Sequence, residues 1–187
     1  MAKYDELKEK QVSSETIFDG RIFRVFRDSV ELPDGNPAGR EYIRHSGGVC
    51  VVPLIDGREV VFVRQYRYPT GRVTLEVPAG KLNAGEVDVV LAAKRELKEE
   101  TGATCDELIP LGDLFVSPAL SDEVIHMFLA PKLVFGEQHL DDDEFLYAER
   151  IPLDTLVDMI MRGEILDAKT QAAILKTKIL LDEGKIG

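Results

Sequence analysis

Val77-Pro78-Ala79-Gly80-Lys81-Leu82-Asn83-Ala84-Gly85-Glu86 is separated by eight residues from Arg95-Glu96-Leu97-Lys98-Glu99-Glu100-Thr101-Gly102. The first stretch reads as a Gly-rich turn and the second as a helix with three glutamates on one face. At about 3.6 residues per turn, Glu96 and Glu100 lie roughly 40° apart around the axis and Glu99 roughly 60° from Glu96. Like charges at this spacing destabilise a helix by about 0.2–0.5 kcal/mol per pair, and Arg95 to Glu99 is the one good opposite-sign pair. A solvated face would interleave signs instead. A hard divalent cation with oxygen ligands converts the repulsion into affinity, and Mg²⁺ held by a few carboxylates and substrate phosphates is the common case. Three glutamates alone also suit a charged surface helix; the Gly-rich turn at fixed distance favours the cation.

Asp88 is a sound N-cap for that helix, because its carboxylate can accept an orphan amide at the helix start. Outward from the helix, residues 16–45 alternate and break as a hairpin around Pro33-Asp34-Gly35-Asn36-Pro37-Ala38-Gly39, with Ile22, Val25, Val30 and Leu32 before the turn and Glu41-Tyr42-Ile43 after it. Strands are expected at 49–55, 59–64, 72–77, 109–116, 123–129 (continuing toward Val134) and 145–151, and amphipathic helices at 153–161 and 167–181. Mixed strands with interspersed helices imply an α+β or α/β sandwich.

The 187 residues suit one domain with a small appended element. With 44% hydrophobic and 30% charged residues the composition is that of a soluble globular protein. There is no run of roughly 18 apolar residues to span a membrane, and the first residues lack a signal-peptide core, so a cytoplasmic protein without a membrane partner is expected. Cys50 and Cys105 are too few for a disulfide framework and read as small buried hydrophobes; His45, His126 and His139 lack the spacing of a zinc site. A formal charge of −11 opposes nucleic-acid binding and demands cations at any site for an anionic ligand.

The quoted residues resemble the Nudix box, in which a Gly, five residues, a Glu and seven residues precede Arg-Glu, an aliphatic residue, any residue, Glu-Glu, any residue and Gly. Gly80 to Glu86 fits, as do residues 95–102, with one residue too many between them. Aligning Asp88-Val89 with the family's usual helix entry puts the insertion at Val87, in the loop. Ser117-Pro118-Ala119-Leu120-Ser121-Asp122-Glu123, Gln65-Tyr66-Arg67-Tyr68-Pro69, Leu140-Asp141-Asp142-Asp143-Glu144-Phe145 and Leu166-Asp167-Ala168-Lys169-Thr170 are similar to segments of its ADP-ribose pyrophosphatases, although Ala119 stands where most have Gly.

This resemblance implies an α+β fold, the α/β/α Nudix sandwich over residues 47–187, with an N-terminal β-hairpin appendage at 1–46 that builds a homodimer. It implies Mg²⁺, with Mn²⁺ able to substitute, held by Glu96, Glu100 and the carbonyl of Ala79, with Glu99 assisting and Glu86 reaching in from the lengthened loop. Arg67 becomes a phosphate clamp, beside Glu76 as a substrate-binding residue. Glu144 becomes the catalytic base, with Asp142 or Asp143 as substitutes and Glu99 as a further catalytic candidate. Arg95 orients Glu99. Adenine needs a stacking surface and the chain has no Trp, which leaves Phe23 and Arg40 of the hairpin as candidates. The implied reaction is hydrolysis of the ADP-ribose diphosphate to AMP and ribose 5-phosphate. Hydrolysis of a GDP- or UDP-sugar and non-catalytic ADP-ribose binding are the alternatives, the latter disfavoured by the retained Glu96, Glu99 and Glu100.

Overall fold

The computed structural model describes residues 4–186, which divide into two compact units. The first holds the chain up to Gly47 together with Ser117–Glu123. Its three antiparallel strands, β1 (Lys10–Asp19), β2 (Phe23–Glu31) and β3 (Pro37–His45), pair in the order β1-β2-β3. The turn between β2 and β3 lies where the Pro-Asp-Gly-Asn run places it: Gly35 adopts φ +83°, its N–H donates to Leu32 O at 2.9 Å, and Asp34 accepts the Asn36 N–H at 3.0 Å. The expected hairpin is thus a three-stranded sheet. The additional strand, β1, is exposed at all ten of its residues, and no face of it carries the apolar alternation that marks a strand in sequence. Of the apolar residues before the turn, Val30 is buried, whereas Ile22 is 54% exposed. The segment Ser117–Glu123 fastens to β3: Ile43 N–H donates to Leu120 O at 2.8 Å, and Asp122 Oδ1 accepts the His45 N–H at 2.9 Å.

The second unit is built on a seven-stranded mixed sheet. Its strands are β4 (Gly48–Ile55), β5 (Glu59–Arg67), β6 (Arg72–Glu76), β7 (Ala79–Lys81), β9 (Ile109–Phe115), β10 (Val124–Ala130) and β12 (Leu146–Pro152), in the order β12-β5-β4-β10-β9, with β6 on β5 and β7 on β4. Only β10 with β4 is parallel among these pairs. The expected continuation of β10 toward Val134 is broken: two short strands, β8 (Ala103–Thr104) and β11 (Val134–Phe135), pair with each other instead.

Three helices cover both faces of this sheet: α1 (Val89–Thr101) on one, α2 (Leu153–Met161) and α3 (Ala168–Asp182) on the other. β4 shows why. Cys50, Val52 and Leu54 pack with Leu156, Ile165 and Ile174, while Val49 and Val51 pack with Ala92, Ala93 and Leu97. A strand covered on both sides has no polar face, which explains the unbroken apolar run at 48–54. The result is the α+β, α/β/α sandwich that the sequence led us to expect. None of the described helices is long and apolar enough to cross a membrane.

Candidate active site

The helix α1 begins and ends on local chemistry. Asp88 Oδ1 accepts the N–H groups of both Val90 and Leu91 at 3.0 Å, and Gly102 closes the helix at φ +69°. The additional loop residue, Val87, is 90% exposed and leaves the helix undisturbed. Ala92, Ala93 and Leu97 seal α1 to the core, and beside them, on the same side of the helix, it carries the glutamates.

Two of these are buried. Glu100, 1% exposed, lies against the turn that precedes the helix, its Oε2 accepting the Ala79 N–H at 3.0 Å. Burial pushes its carboxyl up to about 8; the Ala79 hydrogen bond opposes this, and the charges of Glu144 and Glu96 reinforce it. Glu96 lies over Gly80. A Cβ on that glycine would sit 2.0 Å from Glu96 Cδ, so the glycine serves close approach here rather than an unusual turn. Burial also raises Glu96, against the opposing pull of Arg95.

Arg95 is the hub of the cluster. Its Nη1 donates to Glu96 Oε1 at 2.7 Å and to Glu99 Oε2 at 3.0 Å, while Nη2 reaches Glu86 Oε2 at 3.2 Å. The expected role of Arg95 beside Glu99 therefore widens to three glutamates. Glu86, despite the lengthened loop, is held in this group, and its Oε2 also accepts the Asn83 N–H at 2.9 Å. That amide, followed by Arg95, keeps its carboxyl below the ordinary range.

Among the described residues no three carboxylate, imidazole or thiol groups form a ready-made metal cage. The donor set nevertheless fits a hard cation: Glu100 is a buried carboxylate with no ion-pair partner among the described residues, and Arg95 supplies the positive charge that the others share.

Glu144 follows a turn in which its N–H donates to Asp141 O at 3.0 Å. It is half-buried, and burial first, then the charges of Asp141, Glu99 and Asp143, raise its carboxyl above the ordinary range. Its charge is felt at both Glu96 and Glu100, so its loop faces the glutamate arc. The approach to that loop is fastened to the end of α1. Gly136 N–H donates to Gly102 O at 2.8 Å, His139 N–H to Glu99 O at 3.1 Å, and the Gln138 amide to Glu100 O. Carbonyls that a helix end leaves orphaned are thus satisfied by the segment leading to Glu144.

Arg67 and Glu76 meet across β5 and β6. Arg67 Nε and Nη2 donate to Glu76 Oε1 and Oε2, each at 2.8 Å. Glu76 is 2% exposed and accepts further from Thr74 Oγ1 at 2.5 Å and from Lys169 Nζ. Burial alone would raise it, but the Arg67 hydrogen bond and the Lys169 charge hold it at about 2. A carboxylate so enclosed and so fully bonded orients Arg67. Arg67 remains partly exposed, and its charge is felt at Glu100. Gln138, a polar loop residue, carried no signal in the sequence, and Lys169 stood only within the similar segment 166–170, with no role attached to it.

Arg40 and Phe23 belong to the first unit. Arg40 is paired with Glu9, and Phe23 packs on Phe18 with ring centroids 5.8 Å apart.

Comparison with known proteins agrees with this geometry. A family model described as the NUDIX domain matches residues 44–172, and one described as the nucleoside diphosphate sugar hydrolase N-terminal domain matches residues 9–43. The chain belongs to the Nudix family. It is 38% identical over 170 residues to an ADP-ribose pyrophosphatase of Bacillus subtilis (strain 168), covering 90% of this chain and 91% of that one. It is 40% identical over 169 residues to a methanol dehydrogenase activator of Bacillus methanolicus, covering 89% and 91%. The solved structure of an ADP compounds hydrolase superposes with a TM-score of 0.81 at 25% identity, covering 96% of this chain and 97% of that one.

The Gly80 contact yields a test. In Gly80→Ala the new methyl group must displace the Glu96 carboxyl, the far end of a flexible side chain, and β7 can stay in place. We expect Mn²⁺ affinity measured by calorimetry to fall at least about tenfold while the metal-free thermal midpoint changes by only a few degrees. Unchanged Mn²⁺ affinity would remove Glu96 from the ligand set.

Proposed function

We propose that this Nudix enzyme hydrolyses the diphosphate of ADP-ribose to AMP and ribose 5-phosphate. The observation that carries the reading is the packing of Glu96 and Glu100 onto the Ala79–Gly80 turn within reach of the charges of Glu144 and Arg67. Glu96, Glu100 and the Ala79 carbonyl hold Mg²⁺, or Mn²⁺ in its place, with Glu99 and Glu86 assisting from the Arg95 cluster. When bound, the metal neutralises the diphosphate and acidifies the attacking water. Arg67, oriented by Glu76, presents its free guanidinium edge to the phosphates, for which a planar fork of donors is suited. Glu144 takes the proton from water; its raised carboxyl makes it a stronger base than an ordinary glutamate, at the cost of some of the ionised population. Phe23 and Arg40 are the adenine-stacking candidates.

The substrate is tested with a panel of ADP-ribose, GDP-mannose, UDP-glucose and NADH, with product identification, in Mg²⁺ and in excess chelator. ADP-ribose is expected to be the best substrate and chelator to abolish turnover. Preference for a GDP- or UDP-sugar would move the assignment within the nucleoside diphosphate sugar class. Turnover of none, with ADP-ribose still bound, would make the chain a binding module.

We further propose a cytoplasmic homodimer that forms through residues 16–45, where a three-stranded sheet with Val30 as its one buried apolar side chain has little core of its own. Light scattering at micromolar concentration should give twice the mass of the chain, and a monomer would refute it. Cell fractionation checks the compartment, which recovery with membranes would overturn.

The assignment of the base is tested by Glu144→Gln beside Asp142→Asn and Asp143→Asn, each in single turnover. Glu144→Gln should lower kcat by about 10²–10⁴ with KM changed far less. If an Asp variant is the slow one, that residue is the base; if none is slow, the base lies outside residues 141–144.

A further inference from the structure

We infer that Lys169, the second residue of α3, is a positioning residue that keeps Arg67 electrically available to a diphosphate. The inference rests on the reading of Arg67 as the phosphate clamp. An arginine bound through two donors to a single carboxylate is well oriented, but its charge is largely spent, because the carboxylate cancels most of the field that an incoming anion would feel. In this chain of charges the carboxylate is shared. Glu76 Oε1 accepts from Arg67 Nε at 2.8 Å and Thr74 Oγ1 at 2.5 Å, and Oε2 accepts from Arg67 Nη2 at 2.8 Å and from Lys169 Nζ. One negative charge is thereby divided between two cations. The Nη1 group of Arg67 makes no hydrogen bond among the described residues, which leaves it for a ligand.

Lys169 is itself enclosed, its side chain 11% exposed. Its second partner, Asp167 Oδ2 at 3.1 Å, lies one link further from Arg67 and also accepts the Thr170 N–H at 2.9 Å as the cap of α3. A role in docking α3 alone does not account for the lysine. Thr170 Oγ1 already ties the helix to the sheet by accepting the Val77 N–H at 3.0 Å, and Ala173 and Ile174 pack into the core. Enclosing a long, strongly hydrated cation is costly, and in a chain of net charge −11 a cation supporting the phosphate clamp offsets a field that repels the substrate.

The test is steady-state kinetics with ADP-ribose on the full chain. Lys169→Met should raise KM about tenfold with kcat within about twofold, Lys169→Arg should restore KM, and Lys169→Gln, polar but uncharged, should behave like the methionine variant and stand in for it if that variant does not fold. Arg67→Ala should raise KM by itself, and in its background Lys169→Met should add nothing. An unchanged KM in Lys169→Met or Lys169→Gln beside a raised KM in Arg67→Ala overturns this inference alone. So does a Lys169 effect that persists in full without Arg67, which would be structural. An unchanged KM in Arg67→Ala overturns the clamp reading and the inference with it.

Discussion

The second unit depends on one contact: the glutamate arc of α1 pressed onto the Ala79–Gly80 turn. Burying carboxylates beside each other is unfavourable, since each loses hydration and gains a like-charged neighbour. The chain tolerates it because every element around the contact is fixed for other reasons. β7 is paired with β4, α1 is anchored by Ala92, Ala93 and Leu97, and the absence of a side chain on Gly80 lets the two come together. Arg95 relieves Glu96 and Glu99 and draws in Glu86, but Glu100 keeps only an amide. The cluster remains short of positive charge, and a binding site for a cation is what such a shortage amounts to.

The same helix controls the loop opposite. Carbonyls near the end of α1 would be unsatisfied if the chain simply turned away, and here they are met by Gly136, Gln138 and His139 on the way to Glu144. A helix terminus is thus used to locate a loop. Glu144 needs no regular structure of its own, because its segment is anchored to the helix that carries Glu96, Glu99 and Glu100. This arrangement ties the loop that carries Glu144 to the end of the glutamate helix.

Much of this was legible in the sequence, for definite reasons. β4 announced itself by an unbroken apolar run, α1 by its period and its cap at Asp88, and the turn before β3 by Pro, Asp, Gly and Asn. The glutamates could be placed on one arc from helix geometry alone, and Arg95 could be read as their partner. What escaped was either polar on both faces or set by distant pairing. β1 has no buried side to betray it, and β8 with β11 are two residues each, joined across a long separation in sequence. Gln138 and Lys169 are ordinary surface types in the sequence. Their partners lie 38 and 93 residues away and become apparent only once the sheet is assembled.

The sharpest distinction the fold makes is between two buried glutamates. Glu76 and Glu100 are both almost wholly buried, at 2% and 1% exposure, yet one carboxyl is held at about 2 and the other pushed up to about 8. Burial acts in the same direction on both, so the difference lies in what surrounds them. Glu76 has Arg67, Lys169 and Thr74 built around it by β5, β6 and α3, and its charge is already answered from within the protein. Glu100 has one backbone amide and the charges of two carboxylates about it, with Arg67 a smaller opposing pull and no ion pair among the described residues. A buried carboxylate whose compensation is internal orients other side chains; one whose compensation is missing is a place for a cation to enter. Sequence placed both residues in the same site. Their environments fit the separate tasks proposed for them, Glu76 orienting Arg67 as a phosphate clamp and Glu100 taking part in holding a metal ion.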